Sequence, residues 1–137
     1  MDERSSHIQE IKPREQIAAI GTLVRRSFAT VAEEFSLTAQ NCPYHPAFLS
    51  DKALLRPMVK RGVTCLGVYV NEEMAAFAAL VPKGRYVFEL TRLCAAPEHR
   101  HSGLGGLLLA GAVRIAQERG GRKIEAEVIS ENAILKQ

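Results

Sequence analysis

Apolar residues recur at two spacings along the chain, and each spacing predicts a different kind of element. From Arg14 to about Phe35 they lie three and four residues apart, which is the period of a helix that buries one face. This stretch forms either one helix or two helices broken near Ala29 and Thr30. Strands are predicted where apolar and β-branched residues alternate or run together. These strands cover 7–13, 63–70, 74–82, 85–96 and 122–130.

Loops and shorter helices complete the predicted order of elements. The segment 38–50 carries two prolines and an asparagine, which predicts a long loop. Ser50 or Asp51 is suited to cap a short helix that runs to about Arg61. A further helix is predicted over 107–120, where two glycines end it, and residues 131–137 begin another. The predicted order is β-αα-βββ-α-β, followed by the start of a helix.

Composition narrows the class of protein without naming a function. The 137 residues, 47% of them hydrophobic, can build one core and predict a single domain over 1–137. A net charge of +3, with no basic stretch interleaved with aromatic residues, argues against nucleic acid as a partner. No apolar run approaches the ~18 residues of a membrane span. Cys42, Cys65 and Cys94 form no CxxC pair and suit the reduced thiols of a cytoplasmic protein.

The stretch "EHRHSGLGGLLLAG" (98–111) places Gly103, Gly105 and Gly106 where a strand gives way to a helix. Unpaired backbone N–H groups at such a helix start favour an anion such as a pyrophosphate, and glycines let it approach closely. Arg100 and His101 add positive charge nearby. The patterns GxxxxGK[ST] and GxGxxG are both absent. Two interpretations remain: an anion-binding turn, or glycines that serve only close packing of helix on strand.

The turn, with the strand before it, resembles a known family. "RHSGLG" (100–105) fits the signature [RQ]xxGx[GA], and "LTRLCAAPEHRHSGLGGLLL" together with "RKIEAEVISENAILK" resembles the GNAT acetyltransferase superfamily. The resemblance implies an α/β (α+β, three-layer αβα) fold. Its central sheet is mixed and mostly antiparallel, has a splayed cleft for acetyl-CoA, and lacks the usual C-terminal strands in this chain.

The same resemblance implies which residues bind acetyl-CoA. Main-chain amides of the turn hold the pyrophosphate, and strand backbone before the turn holds the pantetheine arm. Cys94, on that strand, is also explained as a small buried hydrophobic residue and not as a nucleophile. Asn132 corresponds to a family asparagine that contacts the CoA arm, although it also suits a helix N-cap. The implied binding residues are Leu93, Cys94, Ala95, Arg100, His101, Ser102, Gly103, Leu104, Gly105, Gly106 and Asn132.

The reaction implied by the resemblance is direct attack of a primary amine on the acetyl thioester. An alkyl ammonium has a pKa of about 10, so a base must remove its proton at neutral pH. Glu89 lies eleven residues before Arg100, where some histone acetyltransferases of this superfamily carry their general base. Alternation places Glu89 on one face with Thr91 and Leu93. Glu89 is equally explained as a surface carboxylate paired with Arg85 or Arg92.

The acceptor site in this superfamily is built from the first helices and the loop between them. Here that loop contains Tyr44 and His45, which are suited to stack on or hydrogen-bond an acceptor, and Glu33 is suited to attract an amine. A metal site is not predicted, because Cys42 and His45 provide only two ligands. The acceptor is a small-molecule or peptide amine whose identity the sequence does not specify.

Relatives continue past "NAILK" with a tyrosine that protonates the departing thiolate, and with a final β-hairpin. The sequence given ends at Gln137, which predicts either a truncated chain or a sheet completed by a homodimer partner. The predicted activity is therefore acetyl-CoA-dependent N-acetylation. The alternatives are a non-catalytic acyl-CoA sensor and a scaffold on a degenerate GNAT fold.

Overall fold

The computed structural model describes residues 6–100 and 102–126. Two 3-10 turns, Pro46–Phe48 and Pro97–His99, precede the second and third helices. The other elements, in chain order, are β1 (Ser6–Ile11), α1 (Pro13–Glu34), α2 (Asp51–Met58), β2 (Thr64–Val70), β3 (Glu73–Pro82), β4 (Val87–Ala95), α3 (Leu104–Glu118) and β5 (Lys123–Ala126). This order confirms the predicted sequence of elements as far as residue 126, and the helix predicted over 131–137 lies outside the described residues.

The five strands form one sheet in the order β1-β2-β3-β4-β5. The first three pairings are antiparallel, and β4 pairs with β5 in parallel. Alternate strand residues face opposite sides: Leu66 and Val68 pack in a cluster with α3, while Cys65 and Phe77 pack with α1 and α2. The predicted three-layer, mostly antiparallel α/β fold is thus confirmed. The sequence also predicts a cleft for acetyl-CoA where the strands splay apart. The chain that continues β5 beside β4 lies outside the described residues, so this part of the prediction stays a prediction.

The first helix is continuous, and the break considered near Ala29 and Thr30 is not present. The Thr30 hydroxyl donates to the Ser27 carbonyl at 3.0 Å, a bond made within the helix. The helix ends at Glu34 because Ser36 adopts a left-handed φ of 56°, and the Leu37 N–H then bonds the Ala32 carbonyl at 2.8 Å. This is the hydrogen-bonding pattern of a Schellman cap.

The second helix begins where the sequence predicts. The Ser50 hydroxyl accepts from the Ala53 N–H at 3.1 Å, which confirms Ser50 as the N-cap. Asp51 follows in the first turn, and its carboxylate lies 2.8 Å from Arg25 on α1. Gly21 permits this approach, because a Cβ there would collide with the Asp51 carboxylate. The helix ends at Met58, three residues before the predicted end at Arg61.

Candidate active site

The turn between β4 and α3 has the geometry that the glycines predict. Gly103 is the N-cap residue with φ 86°, a conformation that favours glycine, and no side chain caps the helix. The helix begins at Leu104, earlier than the predicted 107, so Gly105 and Gly106 lie in its first turn. The first N–H groups of a helix have no intrahelical partner, and the helix dipole makes this end positive. The turn therefore offers backbone donors to an anion.

The turn glycines are not needed for packing of the helix on the sheet. A Cβ at Gly103, Gly105 or Gly106 would meet no atom of the described residues within 4 Å, apart from its chain neighbours and the backbone of its own helix. By contrast, a Cβ at Gly121, just after α3, would lie 2.8 Å from the Phe88 ring and 2.9 Å from the Ala116 carbonyl oxygen. Close packing thus explains Gly121 and not the turn glycines, which leave open space above the helix start.

Arg100 fixes the turn to α1 and does not point its charge into the open space. Its guanidinium donates to the Thr30 hydroxyl at 2.9 Å and to the Ser27 carbonyl at 2.5 Å. A second link joins Arg26 to Glu98 at 2.7 Å, and this hydrogen bond lowers the pKa of the Glu98 carboxyl. The Arg100 guanidinium is therefore hydrogen-bonded to neutral oxygens of α1, and the prediction that its positive charge favours an anion at the turn stays a prediction.

The other residues predicted to bind acetyl-CoA differ in what the structure shows of them. The Ser102 hydroxyl donates to the His99 carbonyl, so it serves the turn itself. Leu104 is buried in the cluster between α3 and the sheet, where it anchors the first turn of the helix. His101 and Asn132 lie outside the described residues.

A β-bulge in β4 separates Glu89 from the predicted pantetheine strand. Ala79 pairs with Thr91 but Phe77 pairs with Cys94, so β4 has one more residue than β3 between these pairs. Arg92 sits in this bulge with φ 58°. The extra residue reverses the alternation: Leu93 packs on the α3 side, and Cys94 on the α1 side. The prediction that Leu93 shares a face with Glu89 and Thr91 is therefore wrong.

Cys94 is a buried structural thiol. Its side chain is 8% exposed, and burial raises its pKa to about 12 despite a hydrogen bond from Ser27 and the charge of Arg100. A thiol with this pKa is protonated at neutral pH and is not a nucleophile. The residue agrees with its interpretation as a small hydrophobic side chain, and it is flanked by Leu93 and Ala95, which are both half-buried.

Glu89 lies in a cavity of ≈ 230 Å³ between α2 and the strands β3 and β4. Its side chain is 25% exposed, and its partner is Lys83, whose Nζ lies 3.4 Å from Glu89 Oε1. The predicted partner Arg85 instead places its guanidinium 5.5 Å from the Tyr86 ring centroid. The cavity is lined by Pro57, Met58, Lys60, Ala79, Val81, Glu89, Thr91 and Arg92.

The sequence did not identify Lys60, Lys83 or Arg92 as site residues. Val81 pairs with Glu89 in the β3–β4 hairpin, and this pairing brings Lys83 to the Glu89 carboxylate. A correct prediction of the hairpin register would therefore have identified Lys83. A larger cavity of ≈ 430 Å³ lies between α3 and β5. Among its described lining residues there is no carboxylate, thiol or imidazole, whereas Glu89 lines the smaller cavity.

The loop residues predicted for the acceptor do not line the Glu89 cavity. Tyr44 is 84% exposed, and Glu33 is exposed on the last turn of α1. His45 is buried: its Nδ1 accepts from the Ala47 N–H at 3.2 Å, and its ring contacts those of Phe28 and Phe48. Burial, and secondarily the charge of Arg92, lowers the pKa of His45 below its ordinary value. Phe48 itself is half-buried.

Residues 6–100 and 102–126 contain no group of three or more histidine, cysteine or acidic side chains placed to hold a metal ion. Within the same ranges, no helix combines the length and apolar character needed to cross a membrane.

Comparison with known proteins identifies the family. The Acetyltransferase (GNAT) family matches residues 28–135, which is most of the chain, so this protein belongs to the GNAT acetyltransferase family. No curated protein sequence matches it. The fold is also shared with solved structures of GNAT acetyltransferases, among them three that are 16–22% identical in sequence.

Three of these structures illustrate the match. The PaiA N-acetyltransferase from Thermoplasma acidophilum, in complex with coenzyme A, is 22% identical with a TM-score of 0.73; the match covers 95% of this chain and 83% of that one. The ribosomal-protein-S18-alanine N-acetyltransferase from Escherichia coli is 19% identical (TM-score 0.71, 96% and 72% covered). A GNAT acetyltransferase from Brucella melitensis with acetyl-CoA is 16% identical (TM-score 0.66, 96% and 80%).

Proposed function

We propose that this protein is an N-acetyltransferase that transfers the acetyl group of acetyl-CoA to a primary amine by direct attack. One observation carries the proposal. Glu89 lies on β4 and lines a cavity, and the same strand continues through the bulge to the open glycine turn at the start of α3. Family membership supports acyl transfer, and this arrangement supports the amine as acceptor. Acetyl-CoA supplies the activated acetyl thioester when bound.

The turn fits a pyrophosphate on its own geometry. Backbone N–H groups near Gly103, Gly105 and Gly106 are approachable, because no side chain in the part of the chain that the structure describes fills the space where a Cβ would stand. Arg100 holds the turn against α1 and so keeps these donors in place before a ligand arrives. The backbone of Leu93, Cys94 and Ala95 runs directly into this turn and is proposed to bind the pantetheine arm.

Glu89 is proposed as the general base. An ammonium with a pKa of about 10 must lose a proton before its nitrogen can attack, and Glu89 is the carboxylate that lines the cavity. The proton passes to a Glu89 oxygen, the new N–C bond forms, and the C–S bond breaks with its electron pair retained by sulfur. Lys83, whose Nζ lies 3.4 Å from Glu89 Oε1, is a cation beside this carboxylate.

The test separates binding from transfer. Acetyl-CoA binding is measured by calorimetry, and transfer by release of the free thiol in the presence of an amine panel. Glu89→Gln is expected to keep binding and to lower kcat about 100-fold or more. The matched control is Glu125→Gln, an exposed carboxylate paired with Lys123, which is expected to retain both. Binding without transfer to any amine would instead support a sensor, and no binding would support a scaffold.

A further inference from the structure

Three short segments that are far apart in the sequence meet at one end of the sheet. They are 59–63 before β2, 83–86 between β3 and β4, and 119–123 from the end of α3 into β5. Antiparallel pairing of β2, β3 and β4, and parallel pairing of β4 with β5, bring them together. The segments contain no acidic residue, and we call their surface the basic face. Its seven exposed basic residues are Lys60, Arg61, Lys83, Arg85, Arg119, Arg122 and Lys123.

The basic face concentrates charge that the mild net charge of the chain conceals. Of the 18 lysines and arginines, seven lie on this face, which leaves 11 against 15 acidic residues in the rest of the chain. Lys83 and Lys123 lie 3.4 Å from Glu89 and Glu125. Within 6–100 and 102–126, no carboxylate forms an ion pair with the other five. The face is therefore a surface of one sign, which attracts an anionic partner.

An exposed tyrosine ring lies among these cations. The guanidinium carbon of Arg122 lies 4.7 Å from the Tyr86 ring centroid, and that of Arg85 lies 5.5 Å from it. Tyr86 is 41% exposed. Arg119 donates to the Gly62 carbonyl at 2.9 Å and so ties the first segment to the third. These partners are neutral, so the arginines keep their charge while the contacts hold them in place.

The residues of the face distinguish between possible anionic partners. Tyr86 is the one large hydrophobic residue exposed on the three segments, so the face lacks the apolar side chains with which an interfacial segment enters a membrane. An acidic peptide would match the charge but has no group suited to the exposed ring. Single-stranded nucleic acid complements both features, because its phosphates bind guanidinium groups and its unpaired bases stack on aromatic rings.

From this arrangement we propose that the basic face binds single-stranded nucleic acid. Phosphates bind the Arg85 and Arg122 guanidiniums, and a base stacks on the Tyr86 ring. The sequence argues against such a partner because no single stretch is both basic and interleaved with aromatic residues, whereas the fold assembles this surface from three stretches. The face lies where β4 begins, at Val87, and the glycine turn follows the end of β4 at Ala95. The binding is thus separate from the proposed acetyl transfer.

The first experiment measures binding and its dependence on salt. Fluorescence anisotropy is recorded with labelled oligouridine and oligothymidine of about 20 nucleotides, longer than a typical single-strand site. Contact with three phosphates gives a slope of about −2 for the logarithm of the association constant against that of salt concentration. The two oligomers show whether the 2′-hydroxyl contributes. Absence of binding, or tighter binding to polyglutamate or to anionic lipid vesicles, would overturn the proposal.

A double variant assigns the binding to the basic face. Arg85→Gln with Arg122→Gln is expected to lower the affinity about tenfold or more and to make the slope shallower by about 1.4, the share of two phosphates. The matched control is Lys52→Gln with Arg114→Gln, which removes the same charge from exposed residues outside the face. This control should change neither quantity. Equal losses in the two double variants would mean that net charge alone causes binding, and would overturn the proposal.

Substitutions of Tyr86 test whether a base stacks on the ring. Tyr86→Ala is expected to lower the affinity for oligouridine about fivefold or more and to leave the salt slope nearly unchanged. Tyr86→Phe keeps the ring and should retain the affinity. Urea unfolding checks that each variant is folded. Full affinity in a folded Tyr86→Ala variant would contradict stacking and with it the choice of nucleic acid as the partner.

Discussion

Arg100 holds Ser27 by two atoms: its guanidinium donates to the Ser27 carbonyl at 2.5 Å and lies 3.2 Å from the Ser27 hydroxyl. The bond joins residues 73 positions apart in the chain and connects the middle of α1 to the proposed pyrophosphate turn. The basic residue of the signature thus fastens the turn to α1, a role that its charge alone does not suggest.

Arg100→Ala is expected to lower the free energy of unfolding by about 2 kcal/mol, since hydrogen bonds to a charged donor contribute about 1.5–3 kcal/mol. It should also raise the Kd for CoA, because the turn loses its tie to α1. Urea unfolding and calorimetry measure the two effects. Arg100→Gln, which can still donate to Ser27, should lie between wild type and Arg100→Ala. Unchanged CoA affinity in Arg100→Ala would refute this role.

Gly106→Ala separates ligand approach from packing. Among the described residues, apart from its chain neighbours and the backbone of its own helix, the added methyl group meets no atom within 4 Å, and alanine is the better helix former by about 1 kcal/mol. Stability should therefore hold or rise, while the Kd for CoA rises about tenfold because the methyl group blocks close approach. Gly121→Ala is the matched control. Its methyl group meets Phe88 and the Ala116 carbonyl, so it should lose about 1–3 kcal/mol of stability with unchanged CoA affinity.

His45 should make the protein less stable in acid. Its pKa in the folded state lies below the ordinary 6.5, so the unfolded chain binds the proton more readily. The stabilisation is present above pH 6.5 and is lost as pH falls through the folded pKa, by at most about 1.4 kcal/mol per pH unit. Urea unfolding across this range should show a shallower pH dependence in His45→Asn than in wild type. Identical slopes would mean that His45 is not the titrating group.

The buried thiols should make the protein less stable in alkali. Burial raises the pKa of both Cys65 and Cys94 from 9.0 to about 12. Their folded pKa exceeds the unfolded one, so the stabilisation is full below pH 9 and is lost as pH rises toward about 12. Each thiol contributes a slope of about 1.4 kcal/mol per pH unit. Cys94→Ala should remove its share of this slope and keep acetyl transfer; loss of transfer alone would contradict the structural role of the thiol.

The sequence predicted the elements well because they depend on local patterns. Periodicity located α1, and Ser50 was recognised as a cap because its hydroxyl bonds the nearby Ala53 amide. The end of α1 had no comparable signal, since Ser36 occupies a left-handed position where glycine is usual. Leu37 and Ala32 complete that cap through backbone groups, which carry no sequence information.

Site residues were predictable where they act through backbone conformation and not where they act through tertiary contacts. The glycine turn follows from three residues close in sequence, and the structure agrees with it at Gly103. The contact between Lys83 and Glu89 depends on hairpin register, and Arg85, a predicted partner, lies on the Tyr86 ring. The direction of the Arg100 side chain depends on α1, which is distant in sequence.

The β4 bulge has a consequence for how this strand tolerates change. Arg92 is the extra residue of the bulge. Before it, even-numbered residues such as Leu90 face α3, and after it, odd-numbered residues such as Leu93 face α3. Deleting that single residue would restore uniform alternation, and it would exchange the sides on which Leu93 and Cys94 pack relative to Glu89. The number of residues in the bulge thus decides on which side of the sheet the following residues pack. An insertion or deletion here would change that side for Leu93 and Cys94 together, which a single substitution of either residue does not do.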